Sequence, residues 1–355
     1  MSLAAIHQSL NTLNDPHTGR PFADTADIDI QPGPPVQVKM TLRYAAGLSV
    51  KGLEMLIASH LEAQLDLSDV LVSVDFAIGR VNLREQIEGL KSVKNIIAVA
   101  SGKGGVGKST TAVNLALALQ QEGAKVGILD ADIYGPSIAT MLGVKAGTRP
   151  DTKDGKHFIP VMAHGLQSMS MAYLVTEKTP MVWRGPMVSG ALQQLLNQTV
   201  WQDLDYLIID MPPGTGDIQL TLSQQVPVSG SVIVTTPQDI ALLDAQKGIE
   251  MFRKVNIPVL GVVENMAIHI CSNCGHAEHI FGEGGGTRLA TEYGVSLLES
   301  LPLDLRIREQ ADGGTPTVIA DPEGELAAHY QLLARKTGAE LALQEADSGP
   351  DISMV

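Results

Sequence analysis

A glycine-rich segment with two lysines constrains the fold of this 355-residue chain more than any other feature. The apolar run Ile96–Ala100 leads into SGKGGVGKST (residues 101–110), and a helical pattern follows over Ser109–Glu122. The segment fits the pattern G-x-x-x-x-G-K-[S/T] between a strand and a helix. Its glycines let successive backbone N–H groups form a concave nest for phosphate oxygens, and the helix adds the positive end of its dipole. The sequence therefore predicts a phosphate-binding loop.

The residue types in this loop predict a site for ATP and Mg²⁺. Lys108 is expected to reach the β- and γ-phosphates, and Ser109 is expected to hold Mg²⁺. The other loop residues expected to contact the nucleotide are Gly102, Lys103, Gly104, Gly105, Val106, Gly107 and Thr110.

Short apolar runs bounded by Gly, Pro or Asp recur after residue 95 and alternate with helical patterns. The runs are continuous, which is typical of strands buried on both faces of a parallel sheet. The expected fold class is therefore α/β, with a doubly wound, mostly parallel sheet preceded by a small α/β domain. The predicted strands of the sheet are Ile96–Ala100, Val126–Leu129, Tyr206–Ile209, Ser231–Thr235, Val259–Val263 and Leu297–Leu301.

The chain is expected to divide into two domains and a tail. Residues 1–90 form the small α/β domain, residues 91–340 form the phosphate-loop domain, and residues 341–355 form a solvated acidic tail. The elements predicted in the small domain are helices at Leu3–Leu13 and Leu53–Leu65 and strands at Val36–Tyr44 and Val70–Phe76.

Two of the predicted strands lead directly into carboxylates. Val126–Leu129 is followed by Asp130 and Asp132, and Tyr206–Ile209 is followed by Asp210. Because parallel strands end at one edge of a sheet, these side chains are expected beside the phosphate loop. Phosphoryl transfer needs one carboxylate to position the attacking water and another to hold Mg²⁺. Capping of a following helix is the alternative role, most of all for Asp130.

Cys271 and Cys274 are the only cysteines in the sequence and form a C-x-x-C. They could form a redox dithiol, although no helix start is predicted there to lower a thiol pKa. They could bind zinc with His276 and His279, although this spacing is tighter than in usual structural zinc sites. They could supply half of a four-thiolate iron–sulfur site that a symmetric dimer completes. Two idle thiols are the fourth possibility.

The charge balance excludes some partners. The sequence has 25 basic and 39 acidic residues and a net charge of −14, which disfavours non-specific binding to nucleic acid or to an anionic membrane. No apolar stretch approaches the length of about 18 residues that a membrane span needs. No secretory signal is recognised at the N-terminus. We therefore expect a reduced, cytoplasmic protein with neither nucleic acid nor membrane as a partner.

Four segments in order, SGKGGVGKST, DADIYGPS, DMPPGTGD and ENMA…CSNCGH…IFGEGGG, resemble the Mrp/ApbC family of iron–sulfur cluster carrier ATPases over roughly residues 94–335. The loop KGGVGKST resembles the deviant phosphate loop of chromosome-partitioning and division-site ATPases. In those proteins the extra lysine crosses a homodimer interface, so the resemblance implies that Lys103 reaches the partner's nucleotide. It also implies that Asp132 activates water, that Asp210 lies on the Mg²⁺ side and that Asn265 contacts adenine. Lys103, Lys108, Asp132 and Asp210 are therefore the expected catalytic residues.

The resemblance implies a homodimer that hydrolyses ATP slowly. It would hold a labile [4Fe–4S] cluster between Cys271 and Cys274 of both subunits, receive it from scaffold donors and transfer it to apo-proteins. Residues 1–90 resemble a small iron–sulfur-assembly domain but contain no cysteine, which favours an interaction role. The alternatives are a ParA/MinD-like positioning ATPase, which needs a basic surface or an amphipathic terminal helix, and a zinc-stabilised nucleotide switch.

Overall fold

The computed structural model describes residues 3–65, 70–81, 88–174 and 185–347. The end of the predicted acidic tail, residues 348–355, lies outside them. Among the described residues, no helix combines the length and the apolar character that crossing a bilayer requires.

The N-terminal unit is a three-stranded sheet packed against helices. Its strands run in the order β1-β2-β3, with β1 antiparallel and β3 parallel to β2. The long helix α3 buries Leu53, Ile57 and Leu61, which are four residues apart and therefore lie on one stripe of the helix. The elements are α1 (Leu3–Leu10), α2 (Phe22–Thr25), β1 (Ala26–Gln31), β2 (Val36–Leu42), α3 (Val50–Leu65) and β3 (Val70–Phe76).

The remainder of the chain forms an eight-stranded sheet, and the expected α/β fold class is confirmed. The strand order is β15-β12-β11-β4-β10-β5-β9-β8, and every pairing is parallel except that of β8 with β9. The strands are β4 (Val93–Ala100), β5 (Val126–Asp130), β8 (Val161–Ala163), β9 (Leu166–Ser170), β10 (Leu204–Asp210), β11 (Gly230–Thr235), β12 (Val259–Glu264) and β15 (Ser296–Ser300).

Two short hairpins complete the strands, β6 (Thr152–Lys153) with β7 (His157–Phe158) and β13 (His269–Ile270) with β14 (Ala277–Glu278). All six strands predicted for the sheet are present. β8 and β9 were missed because the sequence LQSMS of β9 is neither continuously apolar nor regularly alternating.

Helices cover both faces of the large sheet and bury a separate apolar cluster on each. The helix α4 is buried along its whole length and packs against α12, so it lies under a second layer of helix. The helices are α4 (Lys108–Gln121), α5 (Ile138–Met141), α6 (Gly185–Gln198), α7 (Asp217–Gln225), α8 (Asp239–Lys254), α9 (Gly285–Tyr293), α10 (Leu305–Asp312), α11 (Thr317–Ala320) and α12 (Glu325–Asp347). Short 3-10 turns lie at Gly47–Ser49, Glu88–Leu90 and Met171–Tyr173.

The last helix extends into the segment that we expected to be a solvated tail from residue 341. Leu341, Ala342 and Leu343 are buried, and Ala342 belongs to the apolar cluster of the N-terminal unit. The prediction relied on the acidic residues of this segment and overlooked the apolar residues among them, which pack between the two units.

The N-terminal unit is joined to the C-terminal end of α4 through Glu122. The side chain of Glu122 is fully buried, and its carboxylate accepts hydrogen bonds from Arg335 at 2.6 Å and from the Leu48 backbone N–H at 2.9 Å. Its carbonyl oxygen accepts the Gly47 N–H at 3.0 Å. Burial raises the pKa of the Glu122 carboxyl, and the Arg335 charge opposes that rise.

Replacing Glu122 with alanine is expected to destabilise the protein by about 3 kcal/mol, because Arg335 is left buried without its partner. Chemical denaturation followed by circular dichroism measures this loss. Glu309→Ala is the matched control, since Glu309 pairs with Arg308 on the exposed surface, and it is expected to leave the unfolding midpoint unchanged. Equal midpoints for the two variants would refute a structural role of Glu122 at this junction.

Candidate nucleotide site and cysteine hairpin

The predicted phosphate loop lies between the end of β4 and the start of α4. Gly105 and Gly107 have φ angles of 83° and 82°, a region that glycine enters without strain. A Cβ on Gly107 would lie 2.1 Å from the side-chain nitrogen of Asn265, and one on Gly102 would lie 2.2 Å from the backbone of Asp244. The glycines are therefore required both by the turn and by the neighbours that press against it.

Lys108 and Asp210 form a buried ion pair at the base of this loop. The Lys108 Nζ lies 2.5 Å from Asp210 Oδ1 and 3.2 Å from the Ser109 hydroxyl. Burial raises the pKa of Asp210, and the charge of Lys108 opposes that rise. The second oxygen, Asp210 Oδ2, is buried and has no hydrogen-bond partner among the described residues. A carboxylate oxygen free to coordinate, close to the Ser109 hydroxyl, is the donor set that Mg²⁺ prefers.

Asp130 holds the neighbouring loop in place. Its carboxylate accepts hydrogen bonds from the backbone N–H groups of Asp132, Ser137 and Ile138 and from the Ser170 hydroxyl, at 3.1 to 3.2 Å. Burial and the nearby negative charge of Asp210 raise the pKa of Asp130 to about 7. Bonds to N–H groups at the start of α5 match the capping role that the sequence left open.

Asp132 is half-buried, and its carboxylate accepts a hydrogen bond from the Gly135 N–H at 3.2 Å. Its negative charge acts on Asp210, which places it near the Lys108–Asp210 pair. The three carboxylates predicted at the strand ends therefore gather at one edge of the sheet.

Lys103 occupies a different position from Lys108. It is half-buried, and its Nζ donates to the Gln238 side-chain oxygen at 3.4 Å, just before α8. Ile240 and Leu243 follow on the outer face of that helix, with 70% and 56% of their surface exposed. The outer lysine of the loop thus lies on a surface that also presents apolar side chains.

The end of β12 touches the phosphate loop. The side-chain amide of Asn265 is buried and donates to the Val106 carbonyl at 2.8 Å. The preceding residue, Glu264, accepts hydrogen bonds from the Gly286 N–H at 2.7 Å and the Ser300 hydroxyl at 3.2 Å. Sequence reasoning missed Glu264, although a single carboxylate closing an apolar strand was a usable signal.

The segment after β10 also contacts the loop. Gly214, with a φ of 102°, donates its N–H to the Ser101 carbonyl at 3.0 Å. Asp217 begins α7. Its side chain lies outside the described ones.

Cys271 and Cys274 lie in the turn of the β13–β14 hairpin. The hairpin closes through the Cys271 N–H to the His276 carbonyl at 2.9 Å and the Gly275 N–H to the Cys271 carbonyl at 2.8 Å. Cys271 is half-buried and Cys274 is exposed, and both are free thiols. Hydrogen bonding with the backbone of Asn273 and Cys274 lowers the pKa of the Cys271 thiol, and the Cys274 thiol contributes further. The turn thus supplies the thiolate stabilisation for which the sequence offered no helix start.

The two histidines do not complete a four-ligand zinc site. His276 is exposed, and the Nδ1 of His279 lies 2.8 Å from the Ala267 carbonyl. Within residues 3–65, 70–81, 88–174 and 185–347, no three His, Cys, Asp or Glu side chains are grouped as metal ligands. The geometry leaves two thiols, rather than four ligands, in one chain.

Comparisons with known proteins point to one family. The family model described as ParA, NUBPL iron-transfer P-loop NTPase, matches residues 92–337. An iron-sulfur cluster carrier protein of Pseudomonas fragi is 69% identical over 275 residues, covering 78% of this chain and 96% of that protein. One of Escherichia coli K12 is 64% identical over 256 residues, covering 72% and 69%. The iron-sulfur cluster transfer protein NUBPL of Mus musculus is 51% identical over 247 residues, covering 69% and 77%.

Solved structures share the fold. A nucleotide-binding protein from Archaeoglobus fulgidus in complex with ADP aligns with a TM-score of 0.59 and 38% identity, over 67% of this chain and 93% of that one. The cell division ATPase MinD of Pyrococcus furiosus aligns with a TM-score of 0.52 and 22% identity, over 68% and 97%. The second likeness concerns the fold alone.

The pKa of the Cys271 thiol is expected to lie below that of a cysteine outside this turn, because hydrogen bonding with two backbone groups stabilises its thiolate. Alkylation of the reduced protein by iodoacetamide, resolved by site with mass spectrometry across pH 5–10, gives the midpoint. A small thiol peptide of the same turn sequence, CSNCG, is the control that lacks the hairpin. A Cys271 midpoint equal to that of the peptide would contradict the geometry.

Proposed function

This chain belongs to the ParA-type iron-transfer P-loop NTPases, and from that premise we propose that it carries iron–sulfur clusters in an ATP-dependent cycle. The cluster is its cargo, received from a scaffold donor and handed to apo-proteins. The observation that carries the proposal is the pair of neighbouring thiols in an exposed turn, in a chain that also has a phosphate loop.

The nucleotide half of the cycle is proposed to be slow ATP hydrolysis. Lys108 would bind the β- and γ-phosphates, and the loop N–H groups would surround them. Ser109 and Asp210 fit Mg²⁺, which when bound neutralises charge on the phosphate oxygens. Asp132, half-buried at the same edge, can accept a proton from the attacking water. Asn265 is proposed to lie against adenine, and its contact with Val106 keeps it beside the loop.

The cluster-binding part of the proposal rests on the number of thiolates that one chain supplies. A [4Fe–4S] cluster commonly takes four thiolates, and each chain has two cysteines. We therefore propose that a homodimer holds one cluster between Cys271 and Cys274 of both subunits. An exposed turn keeps such a cluster accessible to acceptors, which a carrier requires.

The surface around Lys103 supports a second copy as the partner. Ile240 and Leu243 leave apolar area in water on the helix that follows Gln238, to which the Lys103 Nζ donates. Packing against another chain would cover both apolar side chains and bring Lys103 to the partner's phosphates. Nucleotide-dependent dimer geometry would then set the distance between the two cysteine pairs.

The N-terminal unit is proposed to bind donor or client proteins, since it has no cysteine of its own. With a net charge of −14, the chain favours a cytoplasmic setting without nucleic acid or membrane as partners.

Anaerobic reconstitution with iron and sulfide tests the cargo site. The wild type is expected to acquire four irons and four sulfides per dimer with visible absorbance, on the order of one [4Fe–4S] cluster. Cys271→Ala is expected to lose them and to keep its affinity for MgATP, because the thiols lie outside the phosphate loop. Ser272→Ala, exposed in the same turn, is the matched control.

Two outcomes of that experiment would reject the assignment. Retention of iron and sulfide by a Cys271→Ala, Cys274→Ala double variant would place the cluster elsewhere. Uptake of zinc in preference to iron by the wild type would favour the zinc-stabilised switch.

Replacing Lys108 and replacing Lys103 are expected to impair different steps. Lys108→Ala should weaken MgATP binding at least tenfold, because Lys108 is buried at the base of the loop. Lys103→Ala should keep that affinity but lose hydrolysis and nucleotide-dependent dimerisation. Titration with a fluorescent nucleotide, phosphate release and light scattering separate these effects, with Lys39→Ala, exposed on β2 of the N-terminal unit, as control. Equal losses of affinity in both variants would refute a role for Lys103 across the interface.

A further inference from the structure

Glu264 is a buried carboxylate at the end of an otherwise apolar strand. It is 3% exposed, and its two oxygens are both used, one by the Gly286 N–H at 2.7 Å and one by the Ser300 hydroxyl at 3.2 Å. Burying a carboxylate costs free energy unless it is hydrogen-bonded, so the two hydrogen bonds of Glu264 are specific to this residue. An apolar side chain of the same size would fill the space but could not form these hydrogen bonds.

The partner of Glu264 lies where the cysteine hairpin rejoins the fold. Gly286 is the second residue of α9, which begins directly after the segment that carries Cys271 and Cys274. A Cβ on Gly286 would lie 2.7 Å from the Glu264 Cβ, so the two backbones approach as closely as glycine allows. Glu264 therefore fixes the start of α9, to which the cysteine hairpin is joined by residues 279–284.

The next residue along the strand is fixed to the phosphate loop. Asn265 donates to the Val106 carbonyl at 2.8 Å, and the same amide nitrogen presses on Gly107. Two consecutive residues thus connect the nucleotide site to the segment after the cysteines, with one peptide bond between them.

A second connection is made by Ala267, three residues after Glu264. The Ala267 carbonyl lies 2.8 Å from the His279 Nδ1, and the Ala267 N–H bonds to the Leu301 carbonyl at 2.9 Å. His279 belongs to the arm of the hairpin that follows the cysteines. The segment 264–267 therefore contacts the chain that follows the cysteines at two points, at His279 directly after β14 and at Gly286 in the first turn of α9.

We propose that Glu264 is a positioning residue that links the phosphate loop to the cysteine hairpin. When nucleotide displaces the loop, Asn265 moves with it, and Glu264 carries that movement through Gly286 to the thiols. Glu264 touches neither the nucleotide nor the cysteines. The inference rests on the proposed function, since it names the path by which nucleotide state reaches the cluster ligands.

The test measures the thiols rather than the cluster. Reduced, cluster-free full-length protein is alkylated with iodoacetamide, with and without a non-hydrolysable MgATP analogue, and the rates at Cys271 and Cys274 are resolved by mass spectrometry. In the wild type, the nucleotide is expected to change these rates about fivefold or more, the lower range for coupling between two sites. Glu264→Ala is expected to bring the ratio near one while its affinity for the analogue stays within about twofold of wild type.

Conservative variants separate positioning from stability. Glu264→Gln keeps an oxygen that accepts from Gly286 and is expected to restore the wild-type ratio. Glu278→Ala, an exposed carboxylate on β14, is the control and is expected to change nothing. A wild-type ratio retained by Glu264→Ala, or a ratio of one in the wild type itself, overturns the proposal.

The second connection covers the case in which Glu264→Ala fails to fold. His279→Ala removes the bond to Ala267, whereas His279→Asn keeps a side-chain amide donor at a similar distance. The alanine variant is expected to reduce the nucleotide effect and the asparagine variant to retain it, and equal ratios would overturn the proposal. Because the readout needs no cluster, a wild type that takes up no iron would reject the proposed function and leave this result standing.

Discussion

The buried pair of Lys108 and Asp210 is the interaction on which the rest of this site depends. Both charges lie where neighbouring strands, β4 and β10, end at the same edge of the sheet. Removing either charge from water is costly, and their mutual contact of 2.5 Å offsets much of that cost. The pair allows charged side chains to be buried at an edge formed by apolar strands. It also brings the Ser109 hydroxyl close to the second carboxylate oxygen of Asp210, which has no hydrogen-bond partner among the described residues.

The phosphate loop and the N-terminal unit lie at opposite ends of α4. The cysteine hairpin follows β12 and is held against the phosphate loop through Asn265. The N-terminal unit binds Glu122, at the opposite end of α4. A helix of 14 residues spans about 21 Å, so this contact with the N-terminal unit is remote from the phosphate loop of the same chain. A protein that docks at this contact would therefore leave the phosphate loop uncovered, while a partner on the Lys103 surface would lie beside it.

Sequence reasoning located what depends on local pattern and missed what depends on distant contacts. The apolar runs and the loop glycines predicted the strands and the phosphate loop, because burial and turn geometry act on neighbouring residues. The partners of Asp130 and Lys103 were not predictable, since Ser170 and Gln238 are 40 and 135 residues away in the chain. The thiolate-stabilising turn at Cys271 was missed for another reason: backbone N–H groups carry no sequence signature.

A carrier must hold its cargo and also release it, and the hairpin is built in a way that reconciles these demands. Backbone hydrogen bonding in the turn stabilises the thiolate of Cys271. The thiolate therefore needs no buried positive charge beside it, which would hold the sulfur more tightly. The chain that follows the turn is fixed by hydrogen bonds of His279 to Ala267 and of Gly286 to Glu264, while residues 272–280 are exposed. An exposed turn followed by these fixed points would let a small movement at the phosphate loop reach the sulfurs without unfolding the hairpin. In the proposed homodimer, the stability of the cluster site would be set mainly by the distance between two such turns, which is a property of the dimer rather than of either chain.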